Sequence, residues 1–171
     1  DSGNDTLSIQ DYQLNSSYAS LNNNILPGGT LTTGIEGINA AITFNGTGAA
    51  GNPGLDQAPT NLSGQNATWE FWVRPVADSD NDIIFETGGS GVGMAIWIDT
   101  LTDGSPRARF TVDGGTGTQI RTAGDDIPAN VLSTTEFNHI VAVFDTAGGT
   151  GGNDLMSLYV NGVLVGIQDG E

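Results

Sequence analysis

Asp78-Ser79-Asp80-Asn81-Asp82 places three carboxylates at alternate positions of one short segment. That spacing offers oxygen ligands to a hard cation, calcium above all. The run starts like an EF-hand loop. Its sixth position, however, is Ile83 rather than Gly, and its twelfth is Gly89 rather than Glu, so the full loop is absent. Two readings stand for Asp78, Asp80 and Asp82: a looser calcium site, and a solvated turn, which is preferred. Asp145 and Asp154 flank Gly148-Gly149-Thr150-Gly151-Gly152. Two carboxylates at the ends of a hairpin loop suit a cation shared with backbone carbonyls, whereas the glycines alone read as a flexible connection. The run lacks the Gly-Lys-Ser/Thr ending of a phosphate loop. Asp125-Asp126 is a third, weaker acidic pair.

Nucleophilic catalysis has little to work with. The chain has no cysteine, which removes disulfides, thiolate nucleophiles and cysteine-based zinc sites. It has no lysine, which removes Schiff-base chemistry. His139 is the single histidine, and no Gly-x-Ser-x-Gly elbow supplies a serine partner. Trp69, Trp72, Trp97, Tyr12, Tyr18 and Tyr159 offer rings that could stack on sugars where they are exposed. Trp69 and Trp72 have opposite parity on one strand, so at most one of them faces an interior.

Charge restricts the partners. Against 20 acidic residues, 15 of them Asp, stand four arginines, giving a formal charge of −16. Such a surface repels nucleic acid, whose recognition needs clustered Lys or Arg, and it repels anionic membranes. It suits a solvated acidic exterior in saline water, where self-repulsion is screened. No apolar run approaches the length of a membrane span, so no membrane insertion is expected. Five Asn-x-Ser/Thr sequons, at Asn4, Asn15, Asn45, Asn61 and Asn66, are read as chance products of an Asn- and Thr-rich composition. No signal peptide is visible and the first residue is Asp1, which reads as a mature or excised segment.

The elements that must carry these residues are strands. In Val92-Gly93-Met94-Ala95-Ile96-Trp97-Ile98-Asp99, one face carries Val92, Met94, Ile96 and Ile98, a period of two. Phe71, Trp72 and Val73 are large and apolar in succession, as in a central strand covered on both sides. Arg107–Val112 and the short Thr118–Thr122 read as further strands. Glu136–Asp145 is rich in β-branched and aromatic residues. Beyond the Gly-rich loop, Leu155–Val160 and Val163–Val165 flank Asn161-Gly162, the signature of a type I′ hairpin turn. Many short strands with Gly-rich turns give an all-β, antiparallel two-sheet sandwich in one domain. In residues 1–39, Leu7-Ser8-Ile9 and Tyr12-Gln13-Leu14 fit an edge strand, and a linker is the alternative.

Several of these strands carry a family resemblance. Ala41-Ile42-Thr43-Phe44-Asn45-Gly46, Thr68–Pro75 and the final strand-loop-hairpin resemble, in order, the strands of laminin G-like domains. The resemblance covers residues from about 40 to 166 and implies a concanavalin A-like jelly roll, with 40–171 as the domain and 1–39 as an N-terminal segment. Phe137 and Asn138 replace the family's usual Trp and His, and only His139 of the His pair is kept. Nothing like the family's closing strand follows Val165. Either residues 1–39 supply it, the chain is a fragment, or another chain completes the sheet. The resemblance places His139 at a recurrent strand position and implies calcium at a sheet edge in many members. Glycoside hydrolases of the same fold resemble one another in a Glu-x-Asp-x-x-Glu strand. Here Asp80, Asp82 and Glu86 come near it, but Glu86 falls one position late, which points a side chain to the other face unless a bulge intervenes. The expectation is a non-catalytic, secreted or cell-surface module for binding or adhesion. Its partner is a glycan or an extracellular protein, with calcium as the candidate cofactor. The alternative is a fibre or surface-layer subunit joined to copies of itself by strand exchange or cation bridges, and a hydrolase comes third.

Overall fold

The computed structural model describes residues 5–8, 29–32, 41–44, 66–76, 81–89, 92–113 and 121–170. Eleven strands occur among them: β1 (Asp5–Ser8), β2 (Gly29–Thr32), β3 (Ala41–Phe44), β4 (Ala67–Arg74), β5 (Asp82–Gly89), β6 (Val92–Thr100), β7 (Pro106–Asp113), β8 (Arg121–Ala123), β9 (Asn138–Asp145), β10 (Leu155–Val160) and β11 (Val163–Asp169). They build an antiparallel seven-stranded sheet in the order β11-β10-β9-β4-β1-β3-β2 and a four-stranded sheet in the order β5-β6-β7-β8. The chain leaves the larger sheet after β4, lays down β5 to β8 as a meander, and returns to set β9 against β4. This is the all-β two-sheet sandwich expected from the strand pattern, and the jelly roll that the family resemblance implies.

Alternation fills the space between the sheets. On β6, Met94, Ile96 and Ile98 are buried, with Ile96 opposite Phe110 and Ile98 opposite Ala108 of β7. From the larger sheet come Val73, Ile140, Ala142, Met156, Leu158 and Val160, all buried. Trp69 and Phe71 of β4 join them: Trp69 lies 5.9 Å from the Phe110 ring and 6.4 Å from Phe85, and Phe71 lies 5.5 Å from Phe85. These tilted ring pairs add attraction beyond the apolar area they remove from water.

Two buried asparagines tie the β8–β9 crossing to both sheets. Asn130, in a 3-10 turn over Pro128–Asn130, accepts from Ala108 N at 3.1 Å and donates to Ala108 O at 3.1 Å and Asp125 O at 3.0 Å. Asn138 donates to Val73 O at 3.1 Å and Ser133 O at 2.8 Å, and accepts from Ser133 N at 2.9 Å. Buried amides are tolerated because these bonds replace water.

The hairpin forms as its turn chemistry dictates. Asn161 and Gly162 take φ of 50° and 79°, both in the left-handed region, and Val160 pairs with Val163. β11 then runs on to Asp169, past the expected limit at Val165, with a bulge that buries Val165 as the extra residue.

One expectation about edges is corrected. Asp5–Ser8 is not an edge strand: it pairs with β3 on one side and β4 on the other, while the edges are β2 and β11. Ile9 and Tyr12–Leu14 lie outside the described residues. Nor is β11 a fully open edge. Asp125 N donates to Val165 O at 2.8 Å, and Gly166 meets the Gly124 backbone so closely that no Cβ fits there. This contact joins the margins of the two sheets and occupies part of the backbone that strand addition needs.

Phe110→Ala removes a fully buried ring from the meeting point of both sheets. It should lower stability by about 3–5 kcal/mol, read from the urea midpoint with an unchanged slope.

Candidate binding site

Residues with even numbers on β4 and odd numbers on β9 point away from the core, onto the outer face of the larger sheet. Register sets Trp72 opposite His139, Glu70 opposite Val141 and Thr68 opposite Val143. The Trp72 and His139 rings stack with centroids 4.6 Å apart and planes 21° from parallel. His139 Nε2 lies 2.7 Å from Glu70 Oε1. With a carboxylate as acceptor, Nε2 carries the hydrogen. The backbone of His139 is fixed from the hairpin turn: its N–H donates to Asn161 Oδ1 at 2.9 Å, and its carbonyl accepts from Asn161 N at 2.8 Å. Beyond Trp72 on the same strand, the Arg74 guanidinium lies 5.2 Å from the centre of the Phe137 ring.

The face continues across β10 and β11. Tyr159 stands between Val141 and Leu164, and Ser157 between Val143 and Ile167. Leu164 and Ile167 are 45% and 56% exposed. Leu155 pairs with both Asp145 and Asp169, so two carboxylates close the far end of the face. A shallow depression of about 250 Å³, lined by Asn66, Ala67, Thr68, Val143, Phe144 and Asp145, lies at the same end. Asn66 Oδ1 accepts from Thr146 N at 2.9 Å and Thr146 Oγ1 at 2.8 Å, which fixes the start of the Gly-rich loop. This makes a strip with rings and a carboxylate at one end, aliphatic and hydroxyl side chains in the middle and carboxylates at the other end.

The outer face of the smaller sheet is already occupied by its own bonds. Arg109 donates through Nε and Nη2 to Asp99 Oδ2 at 3.0 and 2.8 Å, through Nη2 to Asp126 Oδ1 at 2.5 Å, and through Nη1 to the Gly124 carbonyl. Burial disfavours the Arg109 cation, but the Asp126 and Asp99 carboxylates outweigh it and hold its pKa above the ordinary value. Trp97 Nε1 donates to Thr111 Oγ1 at 2.9 Å, which in turn lies 3.0 Å from Thr122 Oγ1. Ile83, opposite Trp97, is a large apolar side chain on this face and is 59% exposed.

The carboxylates singled out in the sequence are scattered. Asp78 and Asp80 lie outside the described residues. Asp82 is buried at the start of β5 and shares the face of Ile98. A bulge between Ile83 and Phe85 turns Glu86 outward, opposite Ala95, so Asp82 and Glu86 lie on opposite faces of their sheet. Asp145 and Asp154 do not come together either. Asp145 is level with Leu155 on the outer face and accepts from Ala147 N at 3.1 Å. Asp154, one residue before Leu155, turns the other way and pairs with Arg121 of the opposite sheet. That hydrogen bond holds the Asp154 carboxyl below the usual range. Asp125 lends its backbone to the β11 edge, and Asp126 is the partner of Arg109. Among the described residues, no three His, Asp or Glu side chains converge as a metal site. The Gly-rich loop instead folds on carboxylates of this chain: hydrogen bonds from the Thr150 side chain and from its N–H, at 2.9 Å, lower the Asp169 pKa, and a Cβ on Gly148 would fall 2.7 Å from Asp145 Oδ2.

The grouping of Glu70, Trp72 and His139 was not foreseen as a unit. Glu70 and Trp72 share parity in the sequence, but His139 is 69 positions from Glu70, and only the β4–β9 register joins them.

A two-sheet antiparallel sandwich of this strand order is a β-sandwich of the jelly-roll class. The family model for laminin G-like domains, described as the concanavalin A-like lectin/glucanases superfamily, matches residues 45–171. The chain belongs to this family. Comparison with curated proteins gives no match, and comparison with solved structures gives none. Among the described residues, no helix is long and apolar enough to cross a membrane.

The depressed pKa of Asp154 has a sign. Its stabilisation is present above the unfolded carboxyl pKa and is lost as pH falls through the lower folded value. Asp154→Asn should therefore reduce the melting temperature at neutral pH, and the variant should lose less stability than the parent on acidification below about pH 4.

Proposed function

We propose that this chain is a non-catalytic extracellular binding and adhesion module that takes a glycan on the outer face of the larger sheet. The observation that carries this reading is the Trp72–His139 stack with Glu70 beside it. The C–H face of a pyranose packs on an aromatic ring, and its hydroxyls need a few fixed polar groups at the ring edge. Glu70 and Arg74 flank Trp72 along β4 and supply an acceptor and donors on either side of it. His139 binds Glu70 through Oε1, and the Glu70 side chain is 58% exposed.

The placement of the carboxylates favours binding over hydrolysis. A glycosidase needs two carboxyl groups about 5–9.5 Å apart across one sugar bond. Asp82 and Glu86 are on opposite faces. Asp145 is four residues along β9 from the partner of Glu70, roughly 13 Å at 3.3 Å per residue.

A second reading, a fibre subunit that packs on copies of itself, is favoured by the exposure of Val163, Leu164 and Ile167 along edge strand β11. Light scattering separates the two. The binding module stays monomeric, whereas a fibre subunit forms large species that a Leu164→Lys, Ile167→Lys double variant disperses.

The binding reading is tested by retention on a glycan array followed by calorimetric titration. Trp72→Ala should weaken the retained glycan by at least about tenfold while the core, which Trp72 does not enter, keeps the protein folded. A variant that binds as tightly as the parent sinks the assignment of this face.

A further inference from the structure

We infer that the glycan taken by this face carries ammonium groups: an amino-sugar polymer rather than a sulfated or uronic one. The inference rests on the binding reading above and deepens it.

The first support is the state of the cations. The chain has no lysine and four arginines. Arg109 is committed to Asp99, Asp126 and the Gly124 carbonyl, and Arg121 to Asp154. Arg107 is buried in β7 of the other sheet. Arg74 alone stands on the binding face, and it lies over the Phe137 ring. An anionic glycan recognised by direct contact needs several free guanidinium or ammonium groups, because each sulfate or carboxylate it buries must be paired. This face offers one.

The second support is what the face does hold. Glu70, Trp72 and Arg74 occupy successive outward positions of β4, so Glu70 lies on the opposite side of Trp72 from Arg74. The Glu70 side chain is 58% exposed. An ammonium group at that end meets a carboxylate oxygen and the negative face of an indole together, the combination that attracts alkylammonium groups. Val141, Tyr159 and Leu164 lie level with Glu70 across the sheet, and Thr68, Val143, Ser157 and Ile167 form the next level toward the far carboxylates. Asp145 and Asp169 then supply negative charge again. Carboxylates at both ends of a strip that mixes aliphatic side chains with hydroxyls match a chain that repeats a cation on a sugar, whose faces are apolar and whose edges carry hydroxyls. The net charge of −16 draws such a polymer in from a distance and repels its acidic counterparts, an effect that salt screens.

Calorimetry on the full chain tests this with four probes: a glucosamine oligomer with free amines, its fully N-acetylated counterpart, an oligogalacturonate and an oligolysine. The amine form should bind at least about tenfold more tightly than the acetylated form at low salt, and the gap should narrow at high salt. Glu70→Gln should abolish most of that gap and leave the weak affinity for the acetylated oligomer. Glu86→Gln, an exposed carboxylate of the other sheet, should leave the gap unchanged. Equal or tighter binding of the acetylated or uronate oligomer overturns the inference and leaves the glycan reading standing. Equal losses from Glu86→Gln and Glu70→Gln overturn it too, because the attraction is then diffuse. Binding of oligolysine in preference to the glucosamine oligomer makes the ligand a basic polypeptide and overturns it. Failure of every sugar oligomer overturns the glycan reading with it.

Discussion

Register between β4 and β9 decides what each face of the larger sheet holds. β4 is paired on both sides, so it cannot shift alone. With Trp72 opposite His139, the odd positions Trp69, Phe71 and Val73 enter the core, and Glu70 and Trp72 face outward. A slip of one residue would drive Glu70 into the space now held by Trp69 and Phe71. Burying an unpaired carboxylate there costs far more than the strand pairing returns. The same alternation that fills the sandwich therefore also places the binding face.

Closure of the sandwich depends on a few polar anchors rather than on more apolar area. Asn130 and Asn138 fasten the segment between β8 and β9 to strands of both sheets. Once fastened, that segment brings Gly124 and Asp125 to the edge of β11 and Asp126 to Arg109. The outer side of the smaller sheet thus becomes an internal salt-bridge network, and the margin near Val165 is covered by this chain's own backbone. Arg109 and Arg121 are held in ion pairs and Arg107 is buried, so the carboxylates have few cations left to pair with.

Acidity has different consequences in different places. Asp154, Asp99 and Asp126 are structural, each neutralised by an arginine. Asp169 is satisfied by the backbone of the Gly-rich loop, which can approach because Gly148 and Gly149 have no side chains. Among the described residues, Glu70 meets His139 and neither Glu70 nor Asp145 is paired with an arginine.

Much of the fold was legible in the sequence because strand periodicity is local. The buried positions of β6, the type I′ turn at Asn161-Gly162 and the opposite destinies of Trp69 and Trp72 all follow from residues within a few positions of one another. The sequence alone likewise determined the charge, the lack of Lys and Cys, and the resemblance that marks the family. Tertiary structure decided what depends on distant pairings. The insertion of β1 between β3 and β4, the bulge that parts Asp82 from Glu86, and the commitment of Asp154 to Arg121 cannot be read from spacing. Each is set by the strand, bulge or crossing that lies beside it. The union of Glu70, Trp72 and His139 is of the same kind, because two strands from different parts of the chain must meet in one register before a face exists.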